Sequence, residues 1–498
     1  MQYVRKSGIL LHPTCLPGPG GIGSLGAEAY RFVDFLREAG QSLWQILPLG
    51  PVAFGNSPYS CYSVFAGNPL LIDLESIAAE GDIATADLEA ELPDDRVDYP
   101  LVVKHKREVL RRAAGHFFES VDHERMEEFN RFCDTTSWLH DFALFTALKD
   151  SNDGKCWHFW PEDITRRTDD SLADFSKGHG KAIEEQKYVQ WQFHRQWQRL
   201  KSYANAHGIE MVGDLPIFVA HDSADVWTNP QLFHLDERGR PTVVAGVPPD
   251  YFSETGQLWG NPLYNWEVMA FQGYRWWIER MRSSLELYDI VRVDHFRGFQ
   301  AYWEIPATEK TAQKGRWVTG PGVDLFNAMI DALGQLPIIA EDLGVITPDV
   351  EALRDRFGFP GMKILQFAFG SGADNGYLPH NHVREAVVYT GTHDNDTTSG
   401  WFSGLSAKEK KAVLDYIGSD GRELAWDMIR TALASVAGMA VIPLQDILEL
   451  GNSARMNLPG TPAGNWSWRY LRGDVDERHA TRLYDMTEMY GRLPKDRH

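Results

Sequence analysis

Eight short apolar runs punctuate the chain: "GILLHP" (residues 8–13), "SLWQILPLG" (42–50), "IEMVGDLPIF" (209–218), "DIVRVDHF" (289–296), "PIIAEDLG" (337–344), "MKILQFAF" (362–369), "AVVYTGTHDND" (386–396) and "MAVIPLQDI" (439–447). Near-continuous apolar runs of this length read as strands buried on both faces, as in a parallel sheet. Helical patterns separate most of them. Residues 26–39 put Ala29, Phe32, Val33 and Leu36 on one stripe, closed by Gly40. Thr347 and Pro348 pair an N-cap with proline in the first helical position, and Gly358 stops that helix. Ser406 and Glu409 have capping-box spacing, with an end near Gly418. Strand and helix alternating in this way predict an α/β fold, a (β/α)8 (TIM) barrel.

Two intervals exceed a simple crossover. Residues 51–208 carry amphipathic helical stretches near 103–120, 126–149 and 183–206, predicting a helical insertion between strands 2 and 3. Residues 221–265 are rich in Gly, Pro and aromatics and predict a long loop after strand 3. On a barrel such a loop lies over the active face. The expected organisation is a single catalytic barrel over residues 1–498 with these two insertions. Gly18, Gly20 and Gly23 satisfy a G-x-G-x-x-G spacing, but the second strand ends without the acidic residue that a dinucleotide site requires. The glycines read as a turn.

The run "IVRVDHFRGF" (290–299) departs from the rest. Alternate strand residues share a face, so Ile290, Arg292 and Asp294 point one way and Val291, Val293 and His295 the other. Further acidic residues fall near other strand ends: Asp214 at the third, Glu341 at the fifth, and Asp394 beside His393 at the seventh. Any one of them could cap a helix. Several together, each after its own apolar run, point to the rim where barrel chemistry sits. A retaining glycosidase needs one ionised carboxylate as nucleophile and a protonated one ~5–5.5 Å away. Arg292 would hold Asp294 charged by lowering its pKa, and the apolar setting of Glu341 would raise that of a general acid. Asp394 could stabilise positive charge on a sugar ring. The alternative for Arg292 and Asp294 is a structural ion pair inside the barrel.

Composition narrows the partners. The 498 residues are 43% apolar and 24% charged, with a net charge of −20. An acidic surface argues against nucleic acid and anionic membranes. Cys15, Cys61, Cys133 and Cys156 are scattered without a C-x-x-C pair and read as reduced thiols. The apolar run after Arg5 and Lys6 is too short for a signal peptide, and no stretch reaches transmembrane length. A cytoplasmic location is expected, although a transit peptide already removed would leave the same sequence. Aromatic residues make up 12% of the chain, which suits flat ligands such as sugars as well as a large core. Trp276 and Trp277 lie on a helical stretch and read as core. His380 and His382 lack further ligands at metal spacing and read as structural or as a loop contact.

The segments "VRVDHFRGF", "IAEDLG", "GTHDNDT" and "GDLPIFV" resemble the signature motifs of the 4-α-glucanotransferases, the amylomaltases or disproportionating enzymes related to α-amylases. The resemblance continues through "SPYSCYSVFAGNPLLI" (57–72), "AGVPPDYFSETGQLWGNPLYNW" (245–266) and "RMNLPGTPAGNWSWR" (455–469), and so covers nearly the whole chain. It implies that Asp294 is the nucleophile, Glu341 the acid/base and Asp394 the transition-state stabiliser. It further implies that Arg292 sits beside the nucleophile, that His295 and His393 bind substrate, and that Asp214 contacts the donor glucose. Tyr251, Phe252, Gln257 and Trp259 would bind and cover the glucan, and Tyr59 and Asn465 would add sugar contacts. The implied activity is disproportionation of α-1,4-glucans and maltooligosaccharides through a covalent glucosyl-enzyme, without metal or organic cofactor, by a monomer or weak homodimer. An α-1,4-glucan hydrolase on the same residues is the alternative, and a silent glucan-binding protein a third reading.

Overall fold

Each of the eight apolar runs forms a strand in the computed structural model, which describes residues 5–120, 122–249, 253–461 and 463–494. They are β1 Lys6–Leu10, β2 Leu43–Gln45, β3 Glu210–Pro216, β4 Ile290–Asp294, β5 Ile338–Ala340, β6 Gly361–Ile364, β7 Ala386–Tyr389 and β8 Met439–Pro443. All pair in parallel, in the order β6-β7-β8-β1-β2-β3-β4-β5. Between β5 and β6 the Ala340 N–H donates to Pro360 O at 2.9 Å, which closes the ring. The fold is a (β/α)8 barrel. Ile9, Trp44, Val212, Val291, Ile339 and Val441 are among the buried residues of its core.

The short helices end where the sequence places its signals. Ala27–Glu38 stops before Gly40 (φ +70°), and Pro348–Arg356 before Gly358 (φ +67°). Ala407–Ile417 has the complete capping box of Ser406 and Glu409 and ends on left-handed Gly418. Thr347 occupies the N-cap position of Pro348–Arg356 but makes no side-chain cap bond. One crossover departs from the strand–helix alternation. Among the described residues, the β6–β7 connection holds no α-helix, only 3-10 turns at Leu365–Phe367 and Pro379–Asn381. The run "GSGADNG" (370–376) explains this, since glycines, Asp and Asn favour turns over helix.

Between β2 and β3 lie the helices Tyr99–Glu119, His123–Thr135, Leu139–Ser151 and Asp169–Ala206. The stretch expected as one helix at 126–149 is two, because the chain turns extended at Thr136. The last helix starts 14 residues before the expected 183 and runs 38 residues, with a kink at His179 between Gly178 and Gly180. Those glycines hide its first half from propensity reasoning. Residues 221–265 are more than a loop. Val243–Val247 and Gln257–Pro262 pair antiparallel, and Val243–Val247 also pairs with Ala301–Pro306, which pairs with Arg316–Thr319. This four-stranded sheet joins the segment after β3 to the segment after β4, and the sequence reading did not anticipate it.

Candidate active site

Strand register sets the acidic residues at defined heights. Asp214 pairs with Arg292 and Pro216 with Asp294 across β3 and β4. Val293 pairs with Ala340 across β4 and β5, so Asp294 and Glu341 follow at the same level on neighbouring strands. Asp294 ends β4 and Glu341 directly follows β5, both at the carboxyl rim. Asp214 lies two residues lower, inside β3 and not at its end.

Arg292 is buried between two carboxylates. Its Nη1 donates to Asp214 Oδ2 at 2.6 Å and sits 3.0 Å from Asp294 Oδ1. Asp214 Oδ2 also accepts from the Tyr59 hydroxyl at 2.7 Å. Glu341 is held by backbone amides: His295 N–H donates to Oε2 at 2.7 Å and Leu343 N–H to Oε1 at 2.9 Å. The first of these bonds depends on a left-handed His295 (φ +53°), a conformation that costs energy in most residues and marks a constrained turn.

The electrostatics correct one expectation. Arg292 does favour the ionised form of Asp294, but desolvation dominates, and Asp214, Glu341 and Asp394 add like charge. The Asp294 carboxyl is therefore pushed well above its ordinary value, not held below it. One guanidinium shared with Asp214 does not offset its neighbours. Glu341 is also pushed up, by desolvation, against Arg292 and the two amides. The rim thus has an excess of negative potential.

Asp394 is reached by a turn beyond the seventh strand, which stops at Tyr389. Asn395 Oδ1 accepts from the N–H and hydroxyl of Thr392, both at 2.9 Å, closing that turn. Buried Asp446, in the short helix Leu444–Ile447 that follows β8, accepts from the Thr390 hydroxyl and from the N–H and hydroxyl of Thr398, fixing both ends of the loop. Asp394 Oδ1 then accepts from Asn457 Nδ2 at 2.6 Å, and Arg455 donates to its carbonyl at 2.7 Å. His393 lies beneath, stacked on Tyr59 at 5.2 Å, and burial pushes its pKa down. Its Nε2 is 3.4 Å from Asp394 Oδ2.

Across the rim, Trp259 meets His295 edge-on at 4.8 Å, and its indole N–H donates to Gln257 Oε1 at 3.0 Å. Both residues lie on one face of the strand Gln257–Pro262, and Trp259 is partly exposed. Tyr251 and Phe252 lie outside the described residues. Asn465 does not join the carboxylates. Its Oδ1 accepts from Leu458 N–H at 2.9 Å and its Nδ2 donates to Thr461 O at 3.1 Å, so its amide closes the 458–465 turn. Asn457 is the residue missed. It stands in "RMNLPG", inside a segment already singled out, but an asparagine whose one task is to hold another side chain has no spacing signature.

The remaining motifs have structural partners. His380 contacts Tyr416 Oη and Ala373 O, and His382 contacts Ser435 Oγ and Tyr377 O. The glycine-rich turn is clasped by Arg469, which donates to Leu16 O and Gly18 O. Trp277 is buried and Trp276 partly so. Chemically, the rim offers a carboxyl group beside a guanidinium, a second on a neighbouring strand whose protonated form desolvation favours, and a third held by an amide. Such a set can protonate a leaving oxygen, attack a carbon and stabilise positive charge between them.

Comparison with known proteins agrees with this geometry. A family model describing 4-alpha-glucanotransferases matches residues 11–473. The 4-alpha-glucanotransferase of Thermus thermophilus is 51% identical over 502 residues, covering 99% of this chain and 100% of that one. That of Synechocystis sp. is 52% identical over 495 residues, covering 98% of each. Among solved structures, amylomaltase from Streptococcus agalactiae in complex with acarbose superimposes with a TM-score of 0.96 at 40% identity, over 98% of this chain and 100% of that one.

Proposed function

Because this chain belongs to the 4-alpha-glucanotransferase family, we propose a residue-level route by which it moves α-1,4-glucan segments from one chain to another. Asp294 attacks the anomeric carbon while Glu341 delivers its proton to the departing glycosidic oxygen. The C–O bond to the leaving glucan breaks as the bond to Asp294 forms, leaving a covalent glucosyl-enzyme. Glu341, now ionised, takes the proton from the 4-hydroxyl of an incoming glucan, whose oxygen displaces Asp294 and restores the starting state.

The observation that carries this reading is the shared level of Asp294 and Glu341 on adjacent strands, with Arg292 at 3.0 Å from the former. The cluster keeps one proton more tightly than separate carboxylates would. Arg292 favours the ionised form that Asp294 needs as nucleophile, and desolvation favours the protonated form that Glu341 needs as acid. The same negative excess, which adds to the desolvation that raises Asp294, stabilises the positive charge that develops on the sugar ring. Asp394, steadied by Asn457, faces that charge as well.

Transfer in place of hydrolysis requires that water be excluded while an acceptor is held. Gln257 and Trp259 over His295 support this role for the segment after β3. The relative solved with acarbose supports maltooligosaccharides, starch or glycogen as donor and acceptor. The four cysteines are unpaired, which supports a reducing, cytoplasmic setting, and no helix among the described residues is long and apolar enough to cross a membrane. We read the enzyme as a monomer or weak homodimer and as one catalytic unit.

Incubation with maltotriose should yield free glucose together with chains longer than three units. Shorter sugars alone, with rising reducing ends, would mean hydrolysis. Asp294→Asn should lower kcat on the order of 10³-fold or more while glucan binding persists. Substantial residual turnover would remove Asp294 from the nucleophile's role.

A further inference from the structure

Three donor atoms that the proposed glucan chemistry does not use converge between the helical insertion and the segment after β3. Cys156 follows the helix Leu139–Ser151, His158 lies in the next turn, and His221 stands five residues beyond β3. The Cys156 sulfur is 3.1 Å from His158 Nδ1 and 3.7 Å from His221 Nδ1, and the three ligand atoms lie within 4.8 Å of one another. We propose that Cys156, His158 and His221 form a binding site for a thiophilic divalent metal ion, of which zinc is the representative, that ties the helical insertion to the segment covering the rim.

Four features support the site. First, the spacings suit a shared ion. Zn–S of about 2.3 Å and Zn–N of about 2.0–2.1 Å at a tetrahedral angle put sulfur and nitrogen about 3.5 Å apart. The two observed separations bracket that value.

Second, His221 is oriented as metal-bound histidines are. Its Nε2 is 2.7 Å from Gly239 O, a bond in which the ring must be the donor, so Nδ1 faces the sulfur with a free lone pair. Gly239 permits this approach. It is left-handed (φ +75°), and a Cβ there would fall 2.3 Å from the Trp157 ring.

Third, the backbone is fixed on both sides, because the Trp157 indole N–H donates to His221 O at 2.7 Å. Fourth, the carboxylate of Asp222 borders the cluster. Its Oδ1 is buried without a hydrogen-bond partner, while Oδ2 pairs with Lys149 Nζ at 2.5 Å. Lys149 balances one charge of that carboxylate, and the open oxygen or a water can complete four-coordination. A thiol, two imidazoles and a carboxylate form a donor set that selects zinc over magnesium or calcium. Zinc binds the thiolate, so coordination releases the Cys156 proton to solvent.

The Cys156–His158–His221 contacts could instead be a plain thiol–imidazole hydrogen-bond chain, and the experiment separates the two. Full-length reduced protein, stripped with EDTA, is titrated with zinc chloride. One ion per chain should bind saturably, the melting temperature should rise, and alkylation of Cys156 by iodoacetamide should slow about tenfold or more, with Cys133 as the internal control. Cys156→Ser and His221→Ala should each weaken binding about tenfold or more while maltotriose turnover without zinc stays at its original level. The alkylation comparison needs no variant and survives a variant that fails to fold. Absence of saturable binding, equal protection of Cys133, or full binding by both variants would overturn the site. The outcome is independent of the roles of Asp294 and Glu341.

Discussion

Asp294 has a guanidinium 3.0 Å away and still holds its proton more firmly than a lone carboxylate, because desolvation and three neighbouring carboxylates outweigh Arg292. Linkage turns this into a stability statement. A carboxyl whose folded pKa is raised contributes stability that is full below its unfolded value, about 4, and lost as pH rises through the folded value. Asp294→Asn removes that penalty. At neutral pH the variant should therefore melt above the unsubstituted enzyme while losing activity, and the difference should shrink as pH falls toward about 4. Scanning calorimetry across that range checks it; a melting gap independent of pH would contradict the raised pKa. Asn457 offers a second test. Its amide donates to Asp394 at 2.6 Å, and a hydrogen bond to a charged group is worth about 1.5–3 kcal/mol. Asn457→Ala should lower kcat by about tenfold to a hundredfold with little change in KM. A change confined to KM would make Asn457 a sugar contact instead. The three catalytic candidates were legible in the sequence because each follows its own apolar run. Asn457 was not, since its role exists only once the turn after β7 meets the 455–465 loop.

At the scale of elements, cover over the rim comes from a strand that the sequence reading took for loop. Gln257–Pro262 is an edge strand whose burial pattern is largely exposed, so it lacks the apolar alternation by which strands are recognised. Its pairing brings Trp259 against His295. Trp259→Ala should open the rim to water. The expected result is a severalfold rise in the share of hydrolysis over transfer, read from reducing ends produced per transfer product with maltotriose. An unchanged ratio would detach this strand from water exclusion. The barrel strands and the capped helices were legible for the opposite reason: buried parallel strands are continuously apolar, and caps are local chemistry. Helix limits near Gly178 and Gly180 were not, because tertiary packing sustains a helix there that propensity opposes.

For the whole molecule, closure at the base of the barrel depends on residues far apart in the chain. Arg492, fully buried, donates to Leu433 O at 2.8 Å, Lys6 O at 2.9 Å, Ser435 O at 2.8 Å and Ala437 O at 3.0 Å. It joins the C-terminal segment to the starts of β1 and β8, at the face opposite the carboxylates, where barrel residues serve stability. Arg492→Ala should shift the denaturation midpoint downward, by about 2–3 kcal/mol, and leave kcat below the transition unaltered. Loss of kcat in the folded variant would show the two faces to be coupled. The sequence by itself determined the strands, the parallel barrel and the carboxylates at its rim, because hydrophobic periodicity and the polarity of strand ends are written locally. Only the tertiary structure decided which charges meet. Asp214 shares Arg292 with Asp294, Asn457 holds Asp394, and Cys156 faces His221. Those proximities, and the pKa values that follow from them, depend on register and loop packing between segments tens to hundreds of residues apart.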